Sequence, residues 1–352
     1  MKEEIKITNF VKVAGWAGKV GLEDLSHIAS HLINNYDDNV LIDFKDNEDA
    51  GVYRLSPTLA LVQTADFITP VVNDPFIYGQ IAAANALSDV YAMGGVVKCA
   101  LNLMMWDKCR IPEDYAEAIL EGGLSKIKEA GGVLIGGHTI ADNEQKYGLS
   151  VNGIINPQEI WHNNGAKVGD ALILTKPIGM GVLTTALKAN LLDIQTQKEI
   201  AKIMATLNRT ACEVAKKFKI NACTDITGFG LLGHLKEMLN PNINIFLDSN
   251  AIPLVEKAIP FARDGIIPGG SCENEKVIKD LCAFNLKETS KFKGVEILLF
   301  DAQTSGGLVF ATPKNDAISL VKALRNAGVE SAQIIGIVEP YDPNKATRIS
   351  II

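Results

Sequence analysis

The stretch 73–95, NDPFIYGQIAAANALSDVYAMGG, restricts the fold of this chain more than any other. Asp74 suits a helix N-cap, where its carboxylate can accept a free backbone N–H. Pro75 suits the first helical position, where a missing N–H is no loss. Alanine- and leucine-rich sequence then runs from Ile77 to Met93, and Gly94-Gly95 ends it. Asn85 and Asp89 stand in this largely apolar helix, four residues apart and therefore on one face. A carboxylate there is costly unless it is paired or binds a cation.

Elements of both kinds surround this helix. Leu22, Leu25, Ile28 and Leu32 have helical spacing, predicting a helix over 22–35. In ALVQTADFITPVV, short β-favouring runs containing Leu61, Val62 and Ile68 are broken by the polar QTAD. VVKCALNLMMW predicts a buried strand and 113–130 an amphipathic helix. VLIGGHTI predicts a strand running into glycines, and YGLSVNGIIN a further strand. The polar stretch 156–170 is the best domain boundary. Beyond it, helices are expected near 181–190, 197–218 and 228–239, and strands at NINIFLD, VEILLFD and GLVFATP. A last helix and strand follow in AISLVKALRNAG and AQIIGIVEP. The class is mixed α/β (α+β) in two domains, with strands too irregularly spaced for a plain doubly wound sheet.

A length of 352 residues suits two domains. The net charge of −7 argues against nucleic acid or an anionic membrane as a partner. The N-terminus lacks a signal-peptide run and nothing reads as a membrane span, so a soluble, cytoplasmic protein is expected. Six cysteines form no CxxC pair and no defensible zinc pattern, and are expected as reduced thiols.

Aspartates recur beside glycines and at the ends of apolar runs: Asp49, Asp66, Asp89, Asp225 and Asp301. Hard oxygen ligands from separate segments are what Mg²⁺ needs when substrate phosphates complete its shell. Caps and turns are the alternative use of such residues. IGGHTI (135–140) is either a phosphate-cradling loop or a strand-end turn. GxxxxGK[ST] is absent, and no GxGxxG follows a strand. Lys19, in the glycine-rich VAGWAGKVG, is either a solvated lysine or a mobile cation that swings onto a phosphate oxygen.

Taken in order, NEDAGVY, the stretch from QTADF to YAMGG, GGHTI, TDITGFGLLGHL and DAQTSGGL resemble the selenophosphate synthetases (selenide, water dikinases) over nearly the whole chain. The resemblance implies the aminoimidazole-ribonucleotide-synthetase-like fold. It divides the chain into a flexible glycine-rich segment (1–20), an ATP-binding and dimerisation domain (21–160) and a C-terminal α/β domain (167–352). It implies a homodimer that converts ATP, selenide and water to selenophosphate, AMP and orthophosphate. Mg²⁺ would be held by Asp49, Asp89 and Asp225, with a monovalent cation such as K⁺ as a further cofactor. Asp66 and Asp89 would lie by the polyphosphate. Asp46, Asn47 and Glu48 would line the nucleotide site, and Gly137, His138 and Thr139 would contact ATP from the same or the partner subunit. Lys19 would be the essential lysine of the N-terminal segment.

Two places depart from the family pattern. TIADNEQKYGL follows the GGH turn where an Asp and a Pro are usual. Trp16 stands three residues before Lys19, where the family carries cysteine or selenocysteine. An indole only donates a hydrogen bond and cannot carry a chalcogen. Three readings remain: a selenocysteine position filled by tryptophan, since UGA and UGG differ by one base; a natural tryptophan with selenide delivered directly; and a non-catalytic nucleotide-binding relative. A kinase of the same fold acting on an organic substrate is a further class.

Overall fold

The computed structural model describes residues 5–15, 37–43 and 48–352. The helix expected over 22–35 lies outside them. Six strands form the first sheet: β1 (Val40–Ile42), β2 (Gly51–Ser56), β3 (Leu59–Ile68), β4 (Val96–Trp106), β5 (Val133–Ala141) and β6 (Lys146–Ile155). Their order is β1-β2-β3-β6-β4-β5, antiparallel except for the β4–β5 pair.

QTAD does not interrupt β3, in contrast to the broken runs expected from sequence. Its polar side chains alternate along a continuous ten-residue strand, which brings Thr64 and Asp66 to the same face as the buried Ala60, Val62 and Ile68. The GGHT segment is likewise inside a strand, not in a loop. Gly137, His138 and Thr139 pair along β4 with Asn102, Leu103 and Met104.

Helix α1 (Pro75–Ala92) forms as its sequence predicts: Asp74 accepts the Ile77 N–H at 2.9 Å. It packs on β3 and β6 and against α2 (Glu113–Glu129). That helix pair crosses closely because it has glycines at the contact. A Cβ on Gly79 would lie 2.0 Å from the Ile119 carbonyl oxygen. The helix also meets the second half of the chain, and residues 81–92 are buried throughout.

The second sheet has the order β10-β13-β9-β12-β7-β11-β8, from β7 (Asp170–Leu174), β8 (Ala222–Asp225), β9 (Ile243–Leu247), β10 (Cys282–Phe284), β11 (Leu308–Pro313), β12 (Gln333–Pro340) and β13 (Ile349–Ile351). Helices α3 (Met180–Lys188), α4 (Ile194–Ala205), α5 (Arg209–Ala215), α6 (Gly230–Glu237), α7 (Ala258–Arg263), α8 (Gly269–Ile278) and α9 (Lys314–Asn326) complete this half.

The single helix over 197–218 is two helices, because the chain turns at 206–208 and uses the Asn208 side chain for contacts outside the helix. VEILLFD is no strand. Glu296–Leu299 forms a 3₁₀ turn whose Leu298 and Leu299 enter the core. An apolar run without periodicity does not reveal which backbone buries it.

Trp161 packs edge-on against Phe310, with ring centroids 5.8 Å apart. All six cysteines are free thiols. Among the described residues, no helix is long and apolar enough to cross a membrane.

Candidate active site

Helix α1 and strand β3 cross-link through two polar pairs. Thr64 Oγ1 donates to Asp89 Oδ2 at 2.5 Å, and Asn85 Nδ2 donates to Asp66 Oδ2 at 3.0 Å. The i,i+2 spacing on the strand meets the i,i+4 spacing on the helix, so four side chains converge. From the second half, Thr224 at the end of β8 donates to Asp49 Oδ1 at 3.2 Å, and Asp225 follows it. Asp89 and Asp225 are buried, and Asp49 Oδ2 is shut off from solvent with no hydrogen-bond partner.

The electrostatics join these groups into one cluster. Burial raises Asp89 well above the usual carboxylate range, and the charges of Asp66, Asp225 and Asp49 push it further. Asp49 is raised by burial, then by Asp225, Glu237 and Glu48. Like charges held together in a desolvated site favour protonation or a cation. An orphaned carboxylate oxygen and this repulsion fit a divalent ion with oxygen ligands. Among the described residues, no three acidic, histidine or cysteine side chains close around one ion position.

The second half also braces the site. Asn208 Nδ2 donates to Ser88 Oγ, next to Asp89, and to the Gly306 carbonyl, each at 2.8 Å. Asn85 Oδ1 accepts the Ser305 N–H at 2.9 Å, so one carboxamide links Asp66 to the DAQTSGGL loop.

The N-terminal segment arrives at that same loop. Thr8 donates to Asn73 at 2.6 Å, and Lys188 donates to the Val11 and Lys12 carbonyls, each at 2.5 Å. Thr69 donates to the Val13 carbonyl at 2.7 Å. Gly15 then sits so close to Thr304 that a Cβ would lie 2.5 Å from its Oγ1. Trp16, Lys19, Asp46 and Asn47 lie outside the described residues.

Residues 47–155 match the AIR synthase related protein N-terminal domain family, and residues 167–347 the matching C-terminal domain family. Selenide, water dikinase of Aliarcobacter butzleri (strain RM4018) is 50% identical over 340 residues, covering 97% of both chains. The chain belongs to the selenide, water dikinase family. The protein of that name from Caldanaerobacter subterraneus subsp. tengcongensis is 45% identical over 340 residues, 96% of this chain and 97% of its own. The fold is shared with hydrogenase maturation protein HypE in complex with ATP, at a TM-score of 0.64 and 18% identity over 95% of this chain and 92% of that one.

Not every residue that the selenide, water dikinase pattern singles out joins the aspartates. Glu48 turns toward the interdomain segment, where it accepts the Asn163 N–H at 2.9 Å and lies 3.0 Å from His162 Nδ1. Asp301, read from sequence as one of five rim carboxylates, holds a loop and a helix start instead. It is fully buried and accepts from Gly181 N, Ser271 Oγ and Gln303 Nε2, which bind the start of α3 to the loop. Gly137, His138 and Thr139 are exposed on β5, three strands from Asp66 across the sheet, or roughly 14 Å at ordinary strand spacing.

Sequence reasoning missed Thr64, Thr224, Asn208 and Ser305. Thr64 had a usable signal, since it stands two residues from Asp66 and must share its face in a strand.

Proposed function

We propose that this chain synthesises selenophosphate, using ATP, selenide and water and releasing AMP and orthophosphate. The observation that carries the reading is the convergence of Asp49, Asp66, Asp89 and Asp225 from both halves of the chain. Cleaving both phosphoanhydride bonds requires neutralising a polyanion in a closed site. A set of buried carboxylates serves that task through metal ions, and Asp49, Asp89 and Asp225 are the residues that would hold Mg²⁺. When bound, the ion supplies charge neutralisation at the phosphate oxygens.

The chain's own groups fix the rest. Thr64 holds Asp89 and Asn85 holds Asp66, so neither carboxylate can rotate freely away from the polyphosphate. Asn208 and Thr224 tie the second half to the first at the same point, so closing the interdomain seam excludes water. Lys19 is four residues beyond Gly15, a span of at most about 14 Å. It is the cation we assign to the developing phosphate charge. We read Trp16 as the occupant of a selenocysteine position, because its indole can neither attack nor carry selenium.

The homodimer we propose would pair through β5. This nine-residue strand exposes Val133, Ile135 and Ile140 and, among the described residues, forms the edge of its sheet with no strand partner on its outer side. Such an edge invites a second strand. A second copy of this chain would cover it and carry Gly137, His138 and Thr139 toward the neighbouring site.

The deciding experiment follows nucleotide products with Mg²⁺, with and without selenide. Selenide-dependent AMP and orthophosphate are expected. ADP accumulating without AMP would sink the dikinase reading in favour of a kinase of the same fold.

A further inference from the structure

The loop DAQTSGGL contains a residue that neither the fold nor the aspartate cluster accounts for. Ser305 has φ of +50°, in the left-handed region, and only it and Asn190 among described non-glycine residues have positive φ. Gly306 and Gly307 follow it, so a residue free of this strain would suit the position on backbone grounds. The strained conformation is gripped at both ends. Asn85 Oδ1 accepts its N–H at 2.9 Å, and the buried Lys176 Nζ donates to its carbonyl at 2.8 Å while also holding the Thr206 carbonyl at 2.7 Å. Asp301 and Gln303 brace the loop from behind by accepting the Gly179, Met180 and Gly181 N–H groups.

The side chain that all this holds in place makes no bond of its own. Ser305 is 1% exposed, and its Oγ is buried without a hydrogen-bond partner. A buried hydroxyl in that state is destabilising, and so is its backbone. Two unfavourable features persist at one residue, one carboxamide away from Asp66 and next to Thr304, where the N-terminal segment enters. A partner that arrives only with substrate explains both.

We propose that Ser305 is a substrate-contacting residue: its hydroxyl is held ready to donate a hydrogen bond to an oxygen of the phosphoryl group being transferred. Asn85 and Lys176 are its positioning residues. This rests on the dikinase reading above.

The test compares Ser305→Gly and Ser305→Ala with the wild type in selenide-dependent AMP formation, ATP KM and Tm. Glycine relieves the backbone and removes the hydroxyl, so S305G should keep or raise Tm. Its kcat should fall about a hundredfold, the usual loss for one preorganised donor to developing charge, with ATP KM changed less than threefold. S305A should lose activity equally without the gain in Tm. An S305G variant with wild-type kcat would overturn the proposal, and so would parallel loss of Tm and activity in both variants. Wild-type protein that forms no AMP would instead overturn the dikinase reading itself, before either variant is compared.

Discussion

Thr64 on β3 donates its hydroxyl to Asp89 on α1 at 2.5 Å, which fixes a buried carboxylate among others of the same charge. Burial and the charges of Asp66, Asp225 and Asp49 raise Asp89 well above the usual range. A carboxylate raised in the folded state favours folding below its unfolded value, and that contribution is lost as pH rises through the folded value. At pH 7.5 the cluster is therefore a source of instability.

Asp89→Asn keeps an acceptor for Thr64 and removes the charge. Without divalent ions, D89N should melt a few degrees above wild type at pH 7.5 by calorimetry. With Mg²⁺ and ATP that advantage should disappear, and AMP formation should fall at least a hundredfold. Near-normal turnover in D89N would rule out the metal assignment.

Asn85 works as a neutral spacer between Asp66 and the Ser305 backbone. Asn85→Asp retains the acceptor for Ser305 but sets a carboxylate where an amide donated to Asp66. A broken buried hydrogen bond plus like-charge repulsion should cost about 1–3 kcal/mol. Urea titration at pH 8 should show this loss, and titration near pH 5 should show less of it. An equal loss at both pH values would mean that packing, not charge, makes Asn85 necessary.

Lys176 gives a pH signature of the opposite kind. Burial lowers its ammonium from 10.5 to about 7, with Asp225 acting against the shift. Between those values the unfolded chain holds a proton that the folded chain has released, so stability rises with pH through this window. The slope approaches about 1.4 kcal/mol per pH unit. Lys176→Met removes it. The unfolding free energy of wild type relative to K176M should increase by roughly 2 kcal/mol from pH 7 to pH 9. A constant difference would show that Lys176 titrates as an ordinary lysine.

The parts of this site legible in the sequence are those governed by local rules. Asp74, Pro75 and the terminal glycines specify α1 within one stretch, and the i,i+4 spacing alone sets Asn85 and Asp89 on one face. The β3 strand was partly legible: alternation through Gln63, Thr64, Ala65 and Asp66 is a strand signal, but polar residues hid it, because the buried face here is the site itself. Asp301 shows the limit of composition. It stands beside glycines as Asp49 does, yet its oxygens hold α3 in place. The Asn85–Ser305 contact spans 220 residues and leaves no local trace. Its only sequence correlate is a serine before two glycines, and only the backbone angle shows why that serine matters.

β5 combines exposed apolar side chains with an edge that no other strand covers among the described residues. Ile135 is 60% exposed and Val133 58%, both on the strand that carries Gly137, His138 and Thr139. Lysine on an edge strand blocks pairing with another strand, since its charge would have to be buried between the two copies. Ile135→Lys should leave the monomer fold and Tm of the C-terminal half intact, because the side chain meets solvent within one chain. Sedimentation velocity should find wild type near twice 37.9 kDa and I135K near 37.9 kDa at micromolar concentration. If Gly137–Thr139 act across the interface, the monomeric variant should also lose ATP-dependent AMP formation, and concentrating it should restore part of that activity. A monomeric I135K with full activity would separate the two roles: β5 would pair subunits, and the ATP site would be complete within one chain.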